Sequence, residues 1–79
     1  MAKVLLFGWF AEKAGWAERN IDADSLEQLR QLVGECHPDI AASLASGKGR
    51  AALNHSLVSS DMVLNAGDEV AFFPPVSGG

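Results

Sequence analysis

The chain has 79 residues, a formal net charge of −4 and no cluster of Lys or Arg. That length holds one domain, and the charge argues against nucleic acid, whose phosphates call for a basic stripe, and against a polybasic membrane anchor. Almost half of the residues are apolar, enough for one small core but not for the walls of a deep catalytic cleft, which points to a carrier or binding module.

Met1 to Phe7 is apolar but soon meets Glu12 and Lys13. It reads as neither a membrane span nor a cleaved leader. Cys36 is the single cysteine, so no internal disulfide forms, and a reducing, cytoplasmic setting is expected.

Lys3 to Trp9 is a continuous apolar run of strand length, suited to the middle of a sheet. Ala14-Gly15-Trp16 marks a turn. Glu18 to Asp22 follows as a short strand, with Ile21 its best core residue. Next comes the clearest helix. Asp24 or Ser25 caps it, with Glu27 or Gln28 three residues on, as a capping box requires. Leu26, Leu29, Leu32, Val33 and Cys36 recur at spacings of three and four and form one apolar stripe. His37-Pro38 ends this helix, and Pro38 to Ala45 adds a short helical turn.

Ser46-Gly47-Lys48-Gly49 is a polar turn. Arg50 to Asn54 reads as a third strand with Leu53 buried. The chain turns at Asn54-His55-Ser56, and Leu57-Val58 follows. Asn65-Ala66-Gly67-Asp68 is a further turn signal. Glu69 to Phe73 is the last strand, cut off by Pro74-Pro75. One main helix can cover one face of such a sheet. The order predicts an α+β, ubiquitin-like β-grasp: a mixed sheet, a helix across one face, and first and last strands side by side. The division is a body over residues 1–73 and an extended tail over 74–79.

The tail is the strongest candidate site. Pro74 and Pro75 fix their own backbone angles near polyproline II. Six extended residues reach about 20 Å. Gly78 and Gly79 carry no side chain, so the tip can thread a channel too narrow for a Cβ, and it ends in a bare carboxylate. An ordinary frayed terminus is not stiffened at its root and stripped of side chains at its tip.

A second candidate is an apolar face. Along strands, Val70 and Phe72 oppose Ala71 and Phe73, and Val4 and Leu6 oppose Leu5 and Phe7. A helix covers one set, and the other remains as a partner surface unless loops fold over it. Phe73 adjoins the tail, so patch and tail are expected to meet the same partner. Trp9, Phe10 and Trp16 are possible extensions, because aromatics serve as interface anchors.

Other chemistry finds no support. Gly47-Lys48-Gly49 lacks the first glycine and the Ser/Thr of a phosphate loop. Cys36 is expected as a buried structural cysteine on the helix stripe. His37 and His55 have no partners at metal-ligand spacing, so no metal site is expected. Asp22, Asp24 and Glu27 are better explained by capping. No nucleophile, base and orienting group form a triad.

Gly67 to Gly79, with Phe72-Phe73-Pro74-Pro75-Val76-Ser77-Gly78-Gly79 at its heart, resembles the ubiquitin-like sulfur carriers that serve as the small subunit of molybdopterin synthase. Lys3-Val4-Leu5-Leu6-Phe7 and the Glu12/Gly15 pair resemble them too; where many of the family carry arginine before that glutamate, this chain has Ala11.

The resemblance implies a carrier that is not catalytic on its own. An E1-like adenylyltransferase adenylates Gly79 with ATP, and a sulfur donor converts it to a thiocarboxylate. The tail (Pro74, Pro75, Val76, Ser77, Gly78) then enters the large catalytic subunit of a heterotetramer. Sulfur passes to cyclic pyranopterin monophosphate and builds the dithiolene of the molybdenum cofactor. Phe7, Trp9 and Phe73 are the implied partner interface. This chain itself binds no cofactor in that scheme. Two rivals share the Gly-Gly end: a sulfur carrier for thiamine or another product, and a ubiquitin-like protein modifier.

Overall fold

The computed structural model describes residues 1–45, 50–58 and 61–74. The elements are β1 (Ala2–Leu6), α1 (Trp9–Ala14), β2 (Glu18–Ile21), α2 (Leu26–Cys36), α3 (Pro38–Ala45), β3 (Arg50–Leu53), β4 (Ser56–Val58) and β5 (Glu69–Phe73). The strands form one mixed sheet in the order β2-β1-β5-β3-β4. β1 and β5 pair in parallel, with Val4 opposite Val70 and Leu6 opposite Phe72; the other neighbours are antiparallel. This is the β-grasp expected from the order of elements, with the first and last strands at its centre. No helix among the described residues is long and apolar enough to cross a membrane.

The even-numbered residues of β1 and β5 face the helices. Val4, Leu6, Val70 and Phe72 are buried there with Leu26, Leu29 and Val33 of α2 and with Ile40 and Leu44 of α3. Each large apolar side chain so buried contributes about 1.5–3 kcal/mol. Ser25 caps α2: its Oγ accepts from the Gln28 N–H at 3.1 Å, while Gln28 Oε1 accepts from the Asp24 N–H at 2.6 Å. The reciprocal bond of the capping box thus lands one residue earlier than the pattern predicts. Asp61 Oδ1 takes the Glu27 N–H at 2.8 Å, tying the later loop to the same helix end.

Four expectations need correction. The first strand stops at Leu6, not Trp9. Gly8 turns the chain at φ 57 and ψ −140, and the residues after it wind into α1. An apolar run of this length does not by itself distinguish strand from short helix. Phe10, expected on the exposed surface, is fully buried, because α1 turns it into the core. Cys36 is exposed rather than buried: the stripe Leu26-Leu29-Val33 continues four residues on, to half-buried His37, which leaves Cys36 on the flank. In β3 the most buried residues are Ala51 and Ala52, and Leu53 is only half-buried. Pro38–Ala45 is a two-turn helix, where its missing N–H suits Pro38 to the first position. The polar turn Ser46-Gly47-Lys48-Gly49 lies outside the described residues.

Candidate functional site: the open sheet face and the root of the tail

The odd-numbered residues of β1 and β5 point away from the helices. Register makes them a continuous row: Leu5 lies beside Ala71, Ala71 beside Ala52 and Ala52 beside Leu57. Next to this row Phe7 and Phe73 stack, with ring centroids 4.8 Å apart and planes 7° from parallel. Phe7 remains 42% exposed and Leu57 65% exposed. Between these two exposed ends Ala52 and Ala71 are buried and Leu5 is half-buried, so the apolar exposure of the row is concentrated at Phe7 and Leu57.

Charged groups rim the patch, as in ordinary interfaces. Lys3 Nζ lies 3.7 Å from Glu18 Oε2, and His55 Nε2 lies 3.1 Å from Glu69 Oε2. Arg50 sits beside Phe73 across the β3–β5 pairing.

A polar clasp fixes where β5 begins. Asp68 Oδ2 accepts from the Asn65 N–H at 2.7 Å, and Asp68 Oδ1 accepts from Asn54 Nδ2 at 3.1 Å. The Glu69 N–H donates to Asn54 Oδ1 at 2.9 Å. The Asn65 backbone amide, then the Asn54 side chain, hold the Asp68 carboxyl below the usual aspartate range, since bonds to the charged form favour it. Asn54 and His55 both have positive φ, 50° and 74°, as a two-residue hairpin turn of the primed kind demands. The clasp therefore joins the β3–β4 turn to the start of the strand that carries the tail.

The far end of β5 is held equally closely. The Phe7 N–H donates to the Phe72 carbonyl at 3.2 Å. Half-buried Pro74 rests against Gly8, whose absent side chain leaves room for the proline ring.

The predicted site residues thus fall into three groups. Phe7 and Phe73 come together at the edge of the patch, with Pro74 next to them. Trp9 sits on α1, where its ring meets Phe10 edge-on at 4.8 Å. Pro75, Val76, Ser77, Gly78 and Gly79 lie outside the described residues. Trp16 belongs to neither patch nor tail. Its Nε1–H donates to His37 Nε2 at 2.9 Å, and the Arg19 guanidinium lies 4.7 Å over its ring. It lines a shallow pocket of about 180 Å³ with Ile21, Leu32 and Cys36. Leu57 and Gly8 escaped the sequence reading. Alternation through the β3–β4 hairpin could have found Leu57; nothing in the sequence marked Gly8.

Among the described residues no group of His, Cys, Asp and Glu could hold a metal ion. What the described residues offer is an apolar strip exposed at Phe7 and Leu57, and a Pro74 held against Gly8.

The ThiS family model matches residues 4–79. The chain is 46% identical, over the full length of both proteins, to the molybdopterin synthase sulfur carrier subunit of Escherichia coli (strain K12). Among solved structures it resembles small archaeal modifier protein 1 of Methanosarcina acetivorans, with a TM-score of 0.84, 22% identity and coverage of 99% of this chain and 95% of the other. That likeness concerns the fold alone. It also matches a chain in the complex of subunits 1 and 2 of molybdopterin-converting factor from Helicobacter pylori 26695, with a TM-score of 0.68, 28% identity and coverage of 99% and 97%.

Proposed function

The chain belongs to the ThiS family, and from that membership we propose that it is the sulfur carrier subunit of a molybdopterin synthase. The observation that carries this reading is its 46% identity, along the whole of both chains, to a relative of that name. The geometry agrees: β5 runs along an apolar face and ends where the tail begins.

The chemistry resides in the Gly79 carboxylate, which is a poor electrophile because it is negative and lacks a good leaving group. In the proposed cycle a carboxylate oxygen attacks the α-phosphorus of ATP on an E1-like adenylyltransferase, and pyrophosphate leaves. The mixed anhydride now has AMP as its leaving group. A hydrosulfide equivalent from a sulfur donor adds to the carbonyl carbon, the bond to AMP breaks, and a thiocarboxylate remains. No change of oxidation level at carbon is needed.

The tail then enters the large catalytic subunit, where its sulfur bonds to a carbon of cyclic pyranopterin monophosphate as a carbon–oxygen bond at that carbon breaks and the oxygen leaves. Hydrolysis of the carbon–sulfur bond leaves sulfur on the substrate and restores the carboxylate. A second loaded carrier completes the dithiolene. In this scheme Gly78 permits passage, Pro74 and Pro75 stiffen the arm, and the face around Phe7 and Phe73 docks. The H. pylori neighbour is a complex of subunits 1 and 2, which supports a large-subunit partner. The working assembly is a heterotetramer in the cytoplasm, where a free exposed thiol such as Cys36 stays reduced.

Intact mass tests the reading. After incubation with the activating enzyme, ATP and a sulfur source, the chain should gain the mass of one oxygen replaced by sulfur, mapped to Gly79 and absent without ATP. Lysine-linked conjugates in place of that gain would decide for a protein modifier. Loss of the gene should abolish molybdoenzyme activity and spare thiamine synthesis; the reverse would assign the carrier to thiamine.

A further inference from the structure

Gly8 stands where β1 gives way to α1, at φ 57 and ψ −140, a backbone region that side chains avoid. A Cβ on Gly8 would stand 2.9 Å from Pro74 Cγ and 3.4 Å from Pro74 Cδ. Carbon atoms prefer about 3.5–4.0 Å, so the proline ring occupies room that exists because residue 8 has no side chain. One residue earlier, Phe7 stacks on Phe73, and the Phe7 N–H bonds the Phe72 carbonyl. Consecutive residues after β1 therefore grip consecutive residues at the end of β5. Proline fixes its own φ. Once its ring is seated, the direction in which the chain continues is constrained.

We propose that Gly8 is a positioning residue for sulfur transfer: its bare Cα seats the Pro74 ring and thereby aims the tail. The proposal rests on the sulfur-carrier reading, in which the tip must arrive in reacting geometry inside a partner. Misplacement there by about 1 Å can cost about a hundredfold in rate. Gly8 touches neither substrate nor partner chemistry in this account; it acts through Pro74.

The test compares the wild type with Gly8→Val, Pro74→Ala and the double variant, each first thiocarboxylated and then mixed with saturating large subunit and substrate for a single turnover. Gly8→Val should lower the rate about a hundredfold, while the Kd for the large subunit and the circular dichroism spectrum stay close to wild type. If the obstacle is the proline ring, the double variant returns to the level of Pro74→Ala. A rate within about twofold of wild type, or a double variant whose loss is the product of the two single losses, overturns the proposal. Should Gly8→Val fail to fold, Gly8→Ala makes the smaller intrusion and should lose rate in the same direction. Residual dipolar couplings of the Val76–Gly79 amides provide a readout independent of sulfur. If the wild type takes up no sulfur, the carrier reading fails, and unchanged couplings in the Gly8 variants would separately overturn the positioning role.

Discussion

Phe7 and Phe73 lie nearly parallel, with ring centroids 4.8 Å apart, at the edge of the sheet face that the helices leave open. Neither ring is fully buried: Phe7 is 42% exposed and Phe73 is half-buried. A stacked pair contributes about 0.5–1.5 kcal/mol beyond the area it buries. A partner closing over the pair would bury the rest.

Phe73→Ala should therefore weaken binding to the large subunit by about 2 kcal/mol or more, as loss of an aromatic anchor does, while the cost in stability stays smaller. Calorimetric titration and thermal melting measure the two quantities side by side. A large fall in Tm with unchanged affinity would make Phe73 a core residue instead.

Phe10 and Trp9 are adjacent in α1 but face different surroundings. Phe10 is fully buried. Phe10→Ala should cost about 3–5 kcal/mol, a large share of the 5–15 kcal/mol that holds a typical domain together. Trp9, on the outer side of Phe10, is 36% exposed, and Trp9→Ala should cost much less. Urea denaturation of both variants checks this, and comparable losses would contradict the direction in which α1 turns its side chains.

The Asp68 clasp predicts a pH effect. Its carboxyl sits below the ordinary range because the Asn65 amide and the Asn54 side chain bond the charged form. A lowered folded value adds stability that is fully present above the unfolded value of about 3.9 and is lost as pH falls through the folded one. Wild type should therefore lose Tm more steeply than Asp68→Asn below about pH 4. Parallel curves for the two proteins would show that the clasp carries no such linkage.

How far the sequence could be read follows from the kind of signal each element carries. β5 was found to the residue because Gly67-Asp68 opens it and Pro74-Pro75 closes it, and both are backbone signals. Ser25 and Gln28 marked the start of α2 by hydrogen-bonding chemistry that is local. Strand parity put Phe7 with Leu5 and Phe73 with Ala71, but the register that stacks the two rings is tertiary and had no local signal. α1 was missed because its apolar residues continue those of β1, and the break is a single glycine conformation. Cys36 was misplaced because spacings of three and four give two possible continuations of a stripe, and tertiary packing selects His37. The seat of Pro74 on Gly8 had no signature at all, since a missing side chain reveals its purpose only when a neighbour fills the space.

The Trp16–His37 bond gives a local test of that selection. The indole N–H donates to His37 Nε2 at 2.9 Å, and both residues are half-buried. His37→Ala leaves the donor without its partner, and loss of such a bond costs about 1 kcal/mol. In a Trp9→Phe background, where Trp16 is the remaining tryptophan, emission should shift red as water reaches the indole. Unchanged emission and unchanged stability would mean that the bond contributes nothing.

Gly79→Ala bears on the tip itself. The substitution adds one Cβ at the tip of the proposed tail, outside the described residues, and fold and Tm should match wild type. Adenylation requires only a terminal carboxylate. A channel closing around the last two residues has no room for a Cβ. Sulfur transfer should fall severely, by about a hundredfold if the reacting carbon is displaced by about 1 Å, while affinity for the large subunit, assigned in the proposed scheme to the face around Phe7 and Phe73, should change little. Separate assays of thiocarboxylate formation and of its discharge show which enzyme imposes the constraint. Near-normal turnover in both would mean that neither partner closes tightly around the end of the tail, and the two glycines would then serve the freedom of the backbone rather than its width.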